Sequence, residues 1–205
     1  MNQKQVNKII KLLKEKDISF DIGLTDFEIE KINHDFGIIF PSDLKLLLQT
    51  KLPVSSGFVN WRHGINSENG KQDIENRLNR PLEGMLFDIK NNSFWLDKWG
   101  TKPSDFNDQK KIAQNELSKQ PKLIPIYYHR YLSSEPNEVS NPVFSVYQMD
   151  IIHYGNDLME YFTNEFGIEL PKSFETIDEP KRIRFWSDMI DLNNKITNET
   201  TDNTV

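Results

Sequence analysis

The 205-residue chain contains no cysteine, which excludes disulfides, thiolate catalysis, zinc fingers and iron–sulfur ligation, and suits a reducing compartment. It also lacks an apolar run long enough to span a bilayer. Its opening residues, Met1-Asn2-Gln3-Lys4-Gln5-Val6-Asn7-Lys8, lead into a charged helical pattern where a secretory signal would carry an apolar core. A soluble, unsecreted, cytoplasmic protein with no membrane partner is expected. Glycine is scarce, at 9 residues. Gly84, Gly100 and Gly155 stand alone, so no phosphate-cradling loop is available and nucleotide binding is not expected. Basic residues are outnumbered, 25 against 31 acidic, for a net charge of -6. Direct nucleic-acid binding, which needs clustered Lys and Arg, is not expected, and the balance suits a basic partner.

Signatures of catalysis are equally sparse. The four histidines, His34, His63, His129 and His153, include no HxH or HExxH spacing, so no metal is expected. Ser145, between Phe144 and Val146, lacks the Gly-x-Ser-x-Gly turn that exposes a nucleophile. Glu83 and Asp88 could flank a cleft as an acid and base, although charged strand ends are commoner. The chain therefore reads as non-enzymatic and without a cofactor.

What is present is an α+β pattern. Val6, Ile9, Ile10, Leu12 and Leu13 form one apolar face outside which Lys8, Lys11 and Lys14 lie, giving a first helix, docked or detachable. Thr25-Asp26-Phe27-Glu28 is a capping box that opens a second helix, closed by Gly37. A third starts at Pro41-Ser42, with serine able to cap. Residues 53–70 read as a loop-rich region presenting Trp61 and Arg62, and 74–78 as a helical turn. Short apolar and aromatic runs between Pro81 and Phe166 predict strands at Met85–Ile89, Phe94–Leu96, Leu123–Tyr128, Val143–Tyr147 and Ile151–His153. A polar helix near Phe106–Ser118 interrupts them. A hairpin turn is expected at Gln148-Met149-Asp150. Asn156 is placed to cap a helix stopped by Gly167, and a last helix after Pro180 buries Ile183, Trp186 and Ile190 on one side. The domain reading is an N-terminal helical extension over 1–23, one α+β domain with a mixed, largely antiparallel sheet over 24–192, and a disordered Asn/Thr-rich tail over 193–205.

Three places carry polar character that a partner could read. Tyr128-His129-Arg130-Tyr131 offers a guanidinium beside rigid aromatic area, against which stands an internal salt bridge from Arg130 to an acidic residue such as Asp88 or Asp150, with the tyrosines packed. Trp61-Arg62 lies in the loop-rich stretch, where interface and structural roles are balanced. Trp95 and Trp99, four apart, suit the core. The stretch from Asp157 to Glu179 holds seven acidic residues and one lysine. It is either a solvated face or a surface that steers a cationic partner. The candidate partner-binding set is Trp61, Arg62, Arg130, Tyr131, Asp157, Glu160, Glu165 and Glu169.

The chain resembles the SUKH superfamily, the Smi/Knr-like domains, at three places over roughly Leu24 to Phe166. Leu24-Thr25 with Glu28, Ile29, Ile32, Phe36-Gly37, Phe40-Pro41 and Asp43-Leu44-Lys45-Leu46-Leu47 is similar to the family's opening helix pair. Gly84-Met85-Leu86-Phe87 with Trp95 and Trp99-Gly100 is similar to its central strands. Leu123-Ile124-Pro125-Ile126, Val143-Phe144-Ser145-Val146 and Asp150-Ile151-Ile152-His153-Tyr154-Gly155 resemble its later strands. Where many members carry an Asn-Gly-Gly turn, this chain has Gln49-Thr50-Lys51-Leu52-Pro53. The resemblance implies an α+β fold and, for a bacterial member, an immunity protein that binds and neutralises a protein toxin such as a basic nuclease. The other function it implies is a regulatory or scaffold role in cell-wall or envelope physiology. A hydrolase using Glu83 or Asp88 is the third reading.

Overall fold

The computed structural model describes residues 1–175 and 177–202. Among them the chain is an α+β fold of eight α-helices and two small sheets, both antiparallel throughout. Helix α1 (Gln3–Lys14) is opened by an Asn2/Gln5 capping box and buries Val6, Ile9, Ile10 and Leu13. Strand β1 (Phe20–Ile22) pairs with β2 (Lys51–Pro53) around α2 (Asp26–Phe36) and α3 (Ser42–Thr50). Residues 1–23 are therefore not a separate helical extension: α1 lies in the same core as α2 and α3, and β1 completes a sheet. The Thr25/Glu28 capping box and the left-handed Gly37 (φ 63°) bound α2 as expected. At α3 the N-cap position is Pro41, and Ser42 makes no cap bond.

The stretch expected to be a loop contains α4 (Trp61–Asn66), capped by Asn60, and Ser67 then caps α5 (Glu68–Asn91). That 24-residue helix overturns the expected strand at Met85–Ile89 and absorbs the expected turn at 74–78. Ile74, Pro81, Met85, Asp88 and Ile89 are its buried residues, spaced by about two and then one turn, which is a helical stripe. Pro81 is accommodated inside it. Phe94–Leu96 is not a strand either. It leads into a 3-10 turn at Asp97–Trp99, where the Trp95 indole donates to Gly100 O at 2.8 Å. The rings of Trp95 and Trp99 meet edge to face at 5.2 Å, with Trp99 buried and Trp95 half-buried.

After α6 (Phe106–Ser118) comes a four-stranded meander, β3 (Leu123–Tyr127), β4 (Arg130–Ser133), β5 (Val143–Tyr147) and β6 (Asp150–Gly155), in spatial order 3-4-5-6. Two-residue turns join β3 to β4 and β5 to β6, and Tyr128 (φ 42°) and Gln148 (φ 56°) take the left-handed positions. Alternation along the strands divides the core. Ile124, Leu132 and Val143 face a cluster with α1 to α4 and α7 (Leu158–Phe166), while Leu123, Tyr131, Phe144 and Ile151 face a second with α5, α6 and α8 (Trp186–Asp202). Helix α8 continues through 193–202, where a disordered tail was expected, and residues 203–205 of that tail lie outside the described residues.

Helix α5 braces the β5–β6 hairpin by close approach. A Cβ added at Gly84 would lie 2.7 Å from the Gln148 Cα. Gly84→Ala is expected to destabilise the protein by about 1–2 kcal/mol, because overpacking against backbone outweighs the gain in helix propensity. Urea unfolding checks this, and an unchanged midpoint would contradict the close contact.

Candidate functional site

The acidic stretch folds into a groove. Helix α7 starts where Asp157, 4 % exposed, accepts from the Met159 and Glu160 amides at 2.8 and 2.9 Å, so the N-cap is Asp157 and not Asn156. Asn156 instead ties two segments together. Its amide N–H donates to Glu160 Oε2 at 2.6 Å, and its Nδ2 donates to the carbonyls of Ile177 and Asp178 at 2.9 and 3.2 Å. After Gly167 (φ 57°) stops α7, the chain is thereby pinned back alongside the helix.

Between α7 and the returning chain lies a cavity of about 610 Å³. Asp157, Glu160, Glu175 and Asp178 line it against a single cation, Lys172, and Met159, Leu170, Phe174 and Ile177 supply apolar wall. Burial raises the Asp157 carboxyl above its ordinary value, the Glu160 and Met159 amides oppose that, and the charge of Asp43 adds to it. Glu175 and Asp178 are exposed, and their carboxylates make no hydrogen bond or ion pair among the described residues. The arrangement can take up a cationic, partly apolar segment of a macromolecule: carboxylates attract and orient it, and the wall receives its aliphatic parts.

Of the predicted partner-binding residues, Asp157 and Glu160 meet in this groove. Glu169 is exposed on the segment that follows α7. Glu165 is taken by Arg130, whose Nε donates to it at 2.7 Å. Arg130 also donates to Ser145 Oγ at 2.7 Å and lies 3.6 Å from the centroid of the Tyr154 ring. The internal salt bridge expected for Arg130 thus exists, with Glu165 in place of Asp88 or Asp150. Tyr131 is 1 % exposed and donates to Arg77 O at 3.0 Å, and burial pushes its hydroxyl pKa up to about 12. Trp61 is 2 % exposed, and Arg62 is spent on Glu28, Asp21 and two carbonyls. Trp61 and Tyr131 present no contact area, and the two arginines are engaged internally. Residue-by-residue reading missed Glu175, Asp178 and Lys172, although the charge asymmetry of 157–179 is the signal that contains them.

The two carboxylates read as an acid and base pair do not come together. Glu83 is exposed, while Asp88 is buried and accepts from the Met149 amide at 2.8 Å and from Asn92 Nδ2 at 2.5 Å. Five residues apart on one helix, they point about 140° from each other, so they do not flank a common bond. His129 and His153 have lowered pKa values, each chiefly through burial. Among the described residues no group of three His, Asp or Glu side chains is placed to hold a metal ion, and no helix is long and apolar enough to cross a membrane. No protein-family model, curated protein or solved structure matches the chain.

Proposed function

We propose that the chain is a non-enzymatic protein-binding module that neutralises a cationic protein, as a SUKH-like immunity protein of a bacterial polymorphic toxin system does. The observation that carries this reading is the groove beside α7, where four carboxylates and one lysine surround an apolar wall. A nuclease must itself attract phosphate, so its active-site face is basic, and an acidic inhibitor competes there through the same field. Burial of the partner's cationic side chains against Met159, Leu170, Phe174 and Ile177 adds an apolar component that salt does not screen.

The test is calorimetry of the purified chain with the C-terminal domain encoded by the adjacent gene, at low and moderate salt. Stoichiometric association that weakens with salt is expected. Reversing two exposed lining charges, Glu175→Lys with Asp178→Lys, is expected to weaken it about 10- to 100-fold and to flatten the salt dependence. Absence of association at either salt would sink the immunity reading and favour a regulatory or scaffold role in envelope physiology.

A further inference from the structure

At the opposite end of β6 from the acidic groove is a second cavity, of about 720 Å³. It is lined by the end of α5 and the residues after it (Asp88, Asn92, Ser93, Phe94, Trp95), by the hairpin (Gln148, Met149, Asp150) and by Leu192 and Asn193 of α8. Two carboxylates, three carboxamides and two aromatic rings face it, and no cationic side chain lines it. The last carbonyls of α5 are engaged, Asp88 O by the Asn92 and Phe94 amides and Ile89 O by Lys102 Nζ at 2.9 Å, and that ammonium lies 5.9 Å from the centroid of the Trp95 ring without lining the cavity.

One residue organises both rims. The Asp88 carbonyl accepts from the amides of Asn92 (2.9 Å) and Phe94 (3.1 Å), which holds the helix end. Its carboxylate Oδ2 accepts from the Met149 amide at 2.8 Å, which holds the hairpin. Each rim carries a non-glycine residue in the left-handed region, Ser93 at φ 60° and Gln148 at φ 56°. Such backbone persists only where the surroundings over-determine it. Asp88 thus ties the two rims of the cavity to each other. Asp88 is 6 % exposed and each of its oxygens takes one hydrogen bond, leaving acceptor capacity on both. The Asp150 carboxylate makes no hydrogen bond or ion pair among the described residues.

We propose that this cavity binds an organic cation bearing a guanidinium group, which the carboxylates and carboxamide oxygens hold by charge-assisted hydrogen bonds while Phe94 and Trp95 lie against its face. A guanidinium suits the site better than an ammonium because it is planar, brings a fork of donors to several acceptors and stacks on aromatic rings. The group can belong to a free small molecule or to an arginine side chain of a protein. The site stands apart from the acidic groove, and its test does not depend on the toxin reading.

Two-dimensional amide and indole NMR of the full chain is recorded during titration with N-acetyl-arginine amide, with agmatine and with the neutral isostere N-acetyl-citrulline amide. Saturable shifts at the Trp95 indole and the amides of Asn92, Gln148 and Met149 are expected with the two cations and not with citrulline. Agmatine binding the tighter by about tenfold would identify a free polycation as the natural occupant, and equal binding an arginine side chain. Asp150→Asn, at an exposed position, is expected to weaken both cations about tenfold or more at these resonances, whereas Glu30→Gln, exposed on α2 and outside both cavities, leaves them unchanged. Equal response to citrulline, an Asp150→Asn variant that binds like the wild type, or no saturable shift with either cation would overturn the proposal.

Discussion

Arg62→Met is expected to destabilise the protein by about 2–4 kcal/mol at pH 7 and to remove part of its acid sensitivity. Arg62 extends from α4 to β1 and to the first turn of α2, and all five of its N–H donors are used. Nε and Nη2 donate to the two oxygens of Glu28 at 2.5 and 3.0 Å, Nη1 to Asp21 at 2.8 Å and to Ile22 O at 3.0 Å, and Nη2 to Gly23 O at 2.9 Å. The pair is largely sheltered, with side-chain exposures of 21 % for Arg62 and 14 % for Glu28. Truncation leaves two carbonyls and a carboxylate short of donors in a place where water is only partly admitted. The Arg62 guanidinium, helped by the Thr25 amide and hydroxyl and opposed by desolvation, lowers the Glu28 pKa from 4.5 to about 2. Between those values the unfolded chain binds more protons, so this stability is fully present above pH 4.5 and is lost as pH falls through about 2. Allowing for solvent screening it is on the order of 2 kcal/mol. Urea unfolding at pH 7 and at pH 3 measures both effects. A variant as stable as the wild type, or one that retains the full acid dependence, would show that Arg62 is not the node that joins β1, α2 and α4.

The same arginine shows where the sequence was legible and where it was not. The caps of α2 could be read because Thr25, Glu28 and Gly37 act through backbone groups within one or two turns, so the sequence holds the whole interaction. The meander could be read for a similar reason: Val143–Tyr147 alternates, and a two-residue turn fixes its register with β6. The partner of Arg62 could not be read, since Glu28 lies 34 residues away and meets it only once β1 pairs with β2. At α5 the error was one of period. Met85-Leu86-Phe87-Asp88-Ile89 after Pro81 and Gly84 looks like a strand after a break, but Ile74, Pro81 and Met85 continue a helical stripe across the proline. Proline disfavours a helix interior, yet the buried stripe and the hairpin packed on Gly84 and Asp88 hold the helix through it. The acidic groove was half-visible. Composition marked 157–179, but which carboxylates converge depends on Asn156 bonding the Ile177 and Asp178 carbonyls, a contact that composition does not encode.

Trp61→Ala is expected to have the largest effect of any single substitution considered, a loss of about 3–5 kcal/mol. The indole is the first residue of α4 and is 2 % exposed. It meets Phe40 edge to face at 5.1 Å and Phe36 at 6.4 Å, so it fills the space between α4, the end of α2 and the connector that leads into α3. Alanine leaves a cavity bounded by helices that α1 and the sheet already fix, and such a site relaxes only partly. Trp61→Phe, which keeps an aromatic contact with Phe40, is expected to lose less than half as much. The same pair separates a packing role from the interface role that the sequence suggested for this residue. Under conditions where the alanine variant remains folded, its association with a cationic partner is expected to equal that of the wild type, because the indole has no surface to offer. A Trp61→Ala protein of wild-type stability whose association is lost would reverse that assignment, and with it the placement of the binding face beside α7.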